Sequence, residues 1–148
     1  MKLFIVAITV SCFFFACNDK KTEKQLKLGA ATSAEQQTPL EESMERGGLI
    51  YTDFCMQCHL ANGKGIPGNF PPLANSNWLT EKRTESIHAV KFGQQGEIMV
   101  NGKPYDGVMA PMGLSDTEVA DVLNYVMNHW GNEQNKMVTP EEVAAVEE

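Results

Sequence analysis

Cys55-Met56-Gln57-Cys58-His59 is the stretch from which the rest of the chain is best read. Cys-x-x-Cys-His is the spacing of covalent haem attachment. Two thiols add across the two vinyl groups of a haem, and the adjacent imidazole reaches the iron. Residues three apart share a face of a helical turn, so both sulfurs meet one porphyrin edge while His59 turns beneath the metal. The bare Cys-x-x-Cys pair also suits half a zinc site or a redox dithiol. Zinc takes four ligands, commonly from a second Cys or His pair, and His88 and His129 stand too far apart to supply one. A redox dithiol wants a βαβ context, which the flanking sequence lacks.

The chain has 148 residues, room for one domain with appendages. Residues 1–16 have the layout of a secretory signal: Lys2, an apolar run from Leu3 to Phe15, then the small Ala16. The run, about 13 residues, falls short of the roughly 20 that cross a bilayer. It resembles a bacterial lipoprotein signal, in which cleavage before a cysteine exposes that thiol to lipid, and Cys17 is the candidate. Phe14 departs from the usual Leu or Val three places earlier; ordinary cleavage nearby would instead release a soluble periplasmic protein. Cys12 would leave with the signal. Lipid on Cys17 and haem on Cys55 and Cys58 then account for the remaining cysteines, and no disulfide is required.

Residues 17–42 are rich in Lys, Glu, Gln, Ala, Thr and Ser without apolar periodicity, so they read as a solvated, lipid-anchored tether. About 25 flexible residues would span roughly 25–30 Å. Lys20, Lys21, Lys24 and Lys27 could touch anionic head groups or be plain spacer charge. The formal charge of −7 argues against a nucleic-acid partner, which wants a basic stripe. It allows steering toward a basic protein surface. Residues 132–148, with Glu141, Glu142, Glu147 and Glu148, read as an acidic C-terminal tail.

Between these flanks, residues 43–131 carry three helical patterns. Gly47 to Leu60 places Ile50, Tyr51 and Phe54 on adjoining faces and runs into the haem motif. Glu81 to Phe92 spaces Ile87, Val90 and Lys91 helically and stops at Gly93. Ser115-Asp116-Thr117-Glu118 is a capping box, followed by the apolar stripe Val119, Val122, Leu123, Val126 and Trp130; Gly131 ends it. Asn62 to Gly68 and Phe70 to Leu73 are Gly- and Pro-rich loop. Gln94 to Val108 has room for a short hairpin with Asn101-Gly102 as its turn. Three or four helices with so much loop make a thin core, which a buried haem would fill.

With these residues in view the chain resembles the class I c-type cytochromes. Gly47, Ile50 and Tyr51 match the family's N-terminal helix, and Tyr125 matches the aromatic residue packed where the N- and C-terminal helices cross. The resemblance implies an all-α fold of three to four helices and long loops around one covalently bound haem c. It also implies a methionine as the second axial ligand. Met109 stands at the matching place in Tyr105-Asp106-Gly107-Val108-Met109; Ala110, inserted before Pro111, keeps Met112 as an alternative. Pro71 matches the proline whose carbonyl accepts the proton of the axial histidine. Trp78 matches an aromatic N–H near a haem propionate, or packs in the core. His88 and His129 read as structural or surface residues.

His59 and Met109 together would fill both axial positions, leaving no place for substrate on the metal. The resulting expectation is a monohaem carrier of single electrons between redox proteins, on the periplasmic side of a bacterial membrane and held there by lipid. Two other classes compete. One is a haem electron-transfer subunit of a periplasmic enzyme, since residues 114–148 look similar to cytochrome domains accompanying nitrite reductases and alcohol dehydrogenases. The other is a haem enzyme or gas sensor with a labile sixth ligand, against which the methionine at 109 argues.

Overall fold

The computed structural model describes residues 37–148. The signal-like run, Cys17 and the tether as far as residue 36 lie outside the described residues.

Thr38 opens the first helix, α1 (Pro39–Ile50). Its hydroxyl accepts from the Glu41 N–H while the Glu41 carboxylate accepts from the Thr38 N–H at 2.6 Å, and Pro39 supplies a pre-set first helical residue. The helix therefore begins within the stretch assigned to the tether, four residues ahead of Ser43. The helix expected from Gly47 to Leu60 is three pieces: the end of α1, a wider π-turn over Tyr51–Cys55, and α2 (Met56–His59). Leu60, at φ 64°, ends it. A π-turn shifts the register of side chains on either side of it, and here it lies directly before and through the first cysteine.

Two short helices follow the glycine-rich loop, α3 (Asn77–Glu81) and α4 (Arg83–Phe92). Sequence periodicity merged their junction into one helix from Glu81. Gly93 closes α4 at φ 92°. Strands β1 (Ile98–Val100) and β2 (Lys103–Tyr105) pair antiparallel, and Asn101 and Gly102 both take the positive φ that a tight hairpin turn demands.

The long C-terminal helix α5 (Asp116–Val126) starts on the Ser115–Glu118 capping box. Val119, Val122, Leu123 and Val126 are buried. Three valines in one helix cost about 2 kcal/mol of intrinsic propensity. Burying those four side chains returns roughly 6–12 kcal/mol, so packing decides the helix. It ends at Val126 rather than carrying on to Trp130, which sits at φ 49° and packs tilted against Tyr51, ring centroids 4.9 Å apart. α1 crosses α5 at Gly47, where a Cβ would strike the Asp121 carbonyl. Around the crossing, Ser43 donates to Asp121 at 2.6 Å, Arg46 donates to the same carboxylate, and Asn124 donates to Ser43.

Residues 132–148 are not a free tail. Val138 and Val143 are fully buried in the core, and Thr139 caps α6 (Pro140–Ala144). Asn124 holds Val138 through both its N–H and its carbonyl. The acidic composition hid two core valines spaced five apart.

Candidate haem site

A cavity of about 340 Å³ opens among the loops and helices. Cys55, Cys58 and His59 line it, as do Met109 and Met112, and among the described residues no Asp, Glu, Lys or Arg contributes to the wall. Phe70, Leu73, Val90, Val122, Leu123 and Val126 supply much of the rest. Ile50 lies outside this wall and packs on the helical core. Val108 does line the cavity yet is 76 % exposed, and Phe54 is 45 % exposed.

His59 is held from several directions. Its Nδ1 lies 3.0 Å from the Pro71 carbonyl. With the proton on Nδ1 that contact is a hydrogen bond, and Nε2 is left with its lone pair for a metal. Burial pulls the imidazole below its ordinary pKa, with the Pro71 carbonyl acting the other way; a neutral ring is the form that ligates. Its backbone carbonyl accepts from Gly65 N–H at 3.0 Å. Gly65 is at φ 59°, and a Cβ there would fall 2.6 Å from the Pro71 carbonyl oxygen. Glycine at 65 is thus what lets the loop carry Pro71 to the histidine. The Tyr51 hydroxyl donates to the Leu60 carbonyl at 2.6 Å, tying down the residue after His59. Burial, then the neighbouring Cys58, pushes the Cys55 thiol up to about 11.

Met109 is fixed through its backbone. Gln94 and Met109 exchange two N–H to carbonyl bonds, each 2.8 Å. Gly93 makes that approach possible, since a Cβ there would meet the Met109 carbonyl at 2.6 Å. Met112 lies three residues on, beyond Pro111, and reaches the same cavity. Trp78 is also among the residues that line the wall. His88 packs 5.2 Å from Phe92 and His129 stacks 4.6 Å from Tyr125; neither lines the cavity.

Several residues that hold the site gave no signal of their role in the sequence. Asn132 accepts from Ser76 N–H and donates to the Leu73 and Val126 carbonyls, joining the Pro71–Ser76 loop to the end of α5. A Cβ on Gly107 would lie 2.8 Å from the Asn69 carbonyl oxygen, so glycine there lets the two loops approach. Buried Tyr105 closes another wall. A lone Asn or Gly in loop sequence carries no periodicity to flag it.

Two thiols, an imidazole and two thioethers around an uncharged, mostly apolar cavity suit an iron porphyrin. Among the described residues no cluster of three or more His, Cys, Asp and Glu is placed to hold a bare metal ion.

Comparison with known proteins agrees. The cytochrome c family matches residues 44–130. Cytochrome c-552 of Thermus thermophilus is 42 % identical over 106 residues, covering 66 % of this chain and 80 % of that protein. The cytochrome c subunit of the quinone alcohol dehydrogenase of Gluconobacter oxydans (strain 621H) is 36 % identical over 90 residues, 58 % of this chain but only 18 % of that subunit. The FixP subunit of the cbb3-type cytochrome c oxidase of Bradyrhizobium diazoefficiens is 31 % identical over 116 residues, 70 % of this chain and 37 % of that subunit. The chain belongs to the cytochrome c family: an electron-transfer protein whose haem c is attached covalently through cysteines, with Cys55 and Cys58 present at the attachment spacing.

Proposed function

We propose that this protein is a non-catalytic monohaem shuttle, in which Cys55 and Cys58 would hold the haem covalently and His59 and Met109 would ligate its iron. The observation that carries it is the convergence of these four side chains on one uncharged cavity. When bound, the haem supplies a single reversible electron. The chain's own residues do the rest. Pro71 fixes the His59 ring through its Nδ1 contact, and the Gln94 bridge holds residue 109 at the wall. Leu73, Val122, Leu123 and Val126 keep water and charge away, which favours the reduced, less charged centre. A thioether ligand pushes the potential the same way.

Cys17 is proposed as the lipid anchor on the periplasmic side of a bacterial membrane, with the following residues as its leash. No helix among the described residues is long and apolar enough to cross a membrane. A second reading, a haem subunit docked on a dehydrogenase or oxidase, is favoured by the relatives that are such subunits. In both readings His59 and Met109 would both ligate the iron.

Carbon monoxide separates these from a haem enzyme or sensor. The reduced protein should show no spectral change under carbon monoxide at neutral pH; rapid, complete binding would mean an open iron and overturn the shuttle reading. For the anchor, wild-type protein should enter the detergent phase and Cys17→Ala should not; a wild type that stays in the aqueous phase removes the lipid.

A further inference from the structure

We infer that Lys91 is a positioning residue for the distal side of the haem site: it clasps the neck of the excursion 92–115 that brings Met109 to the cavity. The role of Met109 as iron ligand rests on the reading above; the clasp is made by this chain's own contacts.

Lys91 lies four residues beyond buried Ile87 in α4, so its stem runs along the buried face of the helix. Only 18 % of the side chain is exposed. An ammonium so placed must find partners for its three N–H groups, and the structure supplies three. It donates to the Val143 carbonyl at 2.9 Å and to the Val146 carbonyl at 3.2 Å, around the end of α6. The third partner is the Asp116 carboxylate, 3.4 Å away at the start of α5. One side chain therefore joins the last turn of α4, the first turn of α5 and the C-terminal segment.

The consequence lies in the chain between α4 and α5. After Phe92 it forms the β1–β2 hairpin, then returns past Met109 and Met112 on the cavity wall to reach Asp116. The Lys91–Asp116 pair closes this excursion at its neck. Just inside the neck, Gln94 and Met109 exchange their two backbone bonds. Gly93 lies against the same strand: a Cβ there would fall 2.6 Å from the Met109 carbonyl oxygen and 3.0 Å from the Pro111 Cδ. A shift at the end of α4 is thus passed directly to Met109.

Packing from outside gives no such support. A second cavity of about 400 Å³ opens between α4 and residues 145–147, and Trp78 and Gln94 line it as well as the haem cavity. Gln94 therefore has an open cleft behind it rather than packed side chains. What holds it is the backbone bridge and the clasp at the neck.

The test follows imidazole binding to the oxidised holoprotein by stopped-flow absorbance. Imidazole bonds to the iron only after the methionine sulfur leaves it, so the rate at saturating imidazole reads how often the distal segment opens. Lys91→Met keeps the stem and removes the donors; it should raise that rate about tenfold or more, the scale of one lost charge-assisted bond. Asp116→Asn, a milder change at an exposed carboxylate, should raise it about threefold. Arg83→Ala loosens the C-terminal segment from the other end of α4. It should lower the melting midpoint yet leave the rate within about twofold of wild type. Amide exchange at Gln94 and Met109 should quicken in Lys91→Met by a similar factor, with Leu123 in α5 unchanged. Exchange at Gln94 and Met109 that stays at the wild-type rate in Lys91→Met would overturn the clasp. So would an equal rise in Arg83→Ala, or an unchanged imidazole rate in Lys91→Met while Met109→Ala binds imidazole faster. If exchange quickens as stated but Met109→Ala binds imidazole no faster than wild type, the clasp stands and it is Met109 as ligand that fails.

Discussion

Arg83 and Glu142 meet across α4 and α6 through two parallel bonds, Nε to Oε1 at 2.7 Å and Nη2 to Oε2 at 2.8 Å. The same guanidinium donates to the Lys136 and Met137 carbonyls and to Gln134. One side chain thus gathers most of the C-terminal segment. Arg83→Ala should lower stability by about 2 kcal/mol, the scale of losing charge-assisted bonds that are partly open to solvent. Thermal melts read the loss, and amide exchange should rise first between residues 134 and 146.

The same pair sets a pH dependence. The Arg83 hydrogen bond holds the Glu142 carboxyl below its ordinary 4.5. A depressed folded-state value means the contribution is complete above the free carboxylate's pKa and is lost as pH falls through the folded value. Glu142→Gln should therefore be the less stable protein near neutrality, with the difference narrowing below about pH 4.5. Melting midpoints across pH 3–7 check it; a gap that stays constant contradicts it.

Gly47 and Gly48 sit side by side and should respond differently to alanine. At 47 a Cβ would hit the Asp121 carbonyl and come 2.9 Å from the Tyr125 Cβ, with backbone unable to yield. Gly47→Ala should cost about 3 kcal/mol and lower the midpoint by roughly 10 °C or more. At 48 the nearest atom is on the Tyr125 ring at 3.2 Å, a side chain that can shift. The gain of about 1 kcal/mol in helix propensity should leave Gly48→Ala close to wild type.

Tyr51→Phe keeps the ring packed against Trp130 and Tyr125 but removes the bond to the Leu60 carbonyl. The loss should be about 1–2 kcal/mol. Because Leu60 follows His59 at a positive φ, the backbone behind the histidine should loosen too. Faster amide exchange at residues 60–65, with helix α5 unchanged, is the expected signature.

Covalent attachment has its own check. Haem staining should persist on a denaturing gel for wild type and for either single cysteine change, since one thioether remains. It should vanish in Cys55→Ser/Cys58→Ser.

How much of this could be read from residues alone follows from the kind of signal each carries. Ser115-x-x-Glu118 and the Val119–Val126 stripe state a helix locally, and Asn101-Gly102 states a turn; no distant contact is needed for either. The attachment motif is equally local. Trp130 was legible as apolar but not as a residue beyond the helix, because its left-handed conformation and its packing on Tyr51 exist only in the folded chain. The C-terminal segment was misread for a related reason. Its five glutamates dominate the composition, while Val138, Val143 and the Arg83 contact matter only once α4 and α5 are in place. Gly65 and Gly93 looked like ordinary loop and cap residues; that each admits a close backbone approach is visible only in three dimensions.

The central claim is that Met109 completes the axial pair with His59, and the optical spectrum of the oxidised protein tests it most directly. Wild-type protein should show the weak red band of a methionine–iron bond, Met112→Ala should retain it, and Met109→Ala should lose it with a fall in reduction potential. A band that is missing from wild type, or that survives Met109→Ala and disappears in Met112→Ala, would contradict the account.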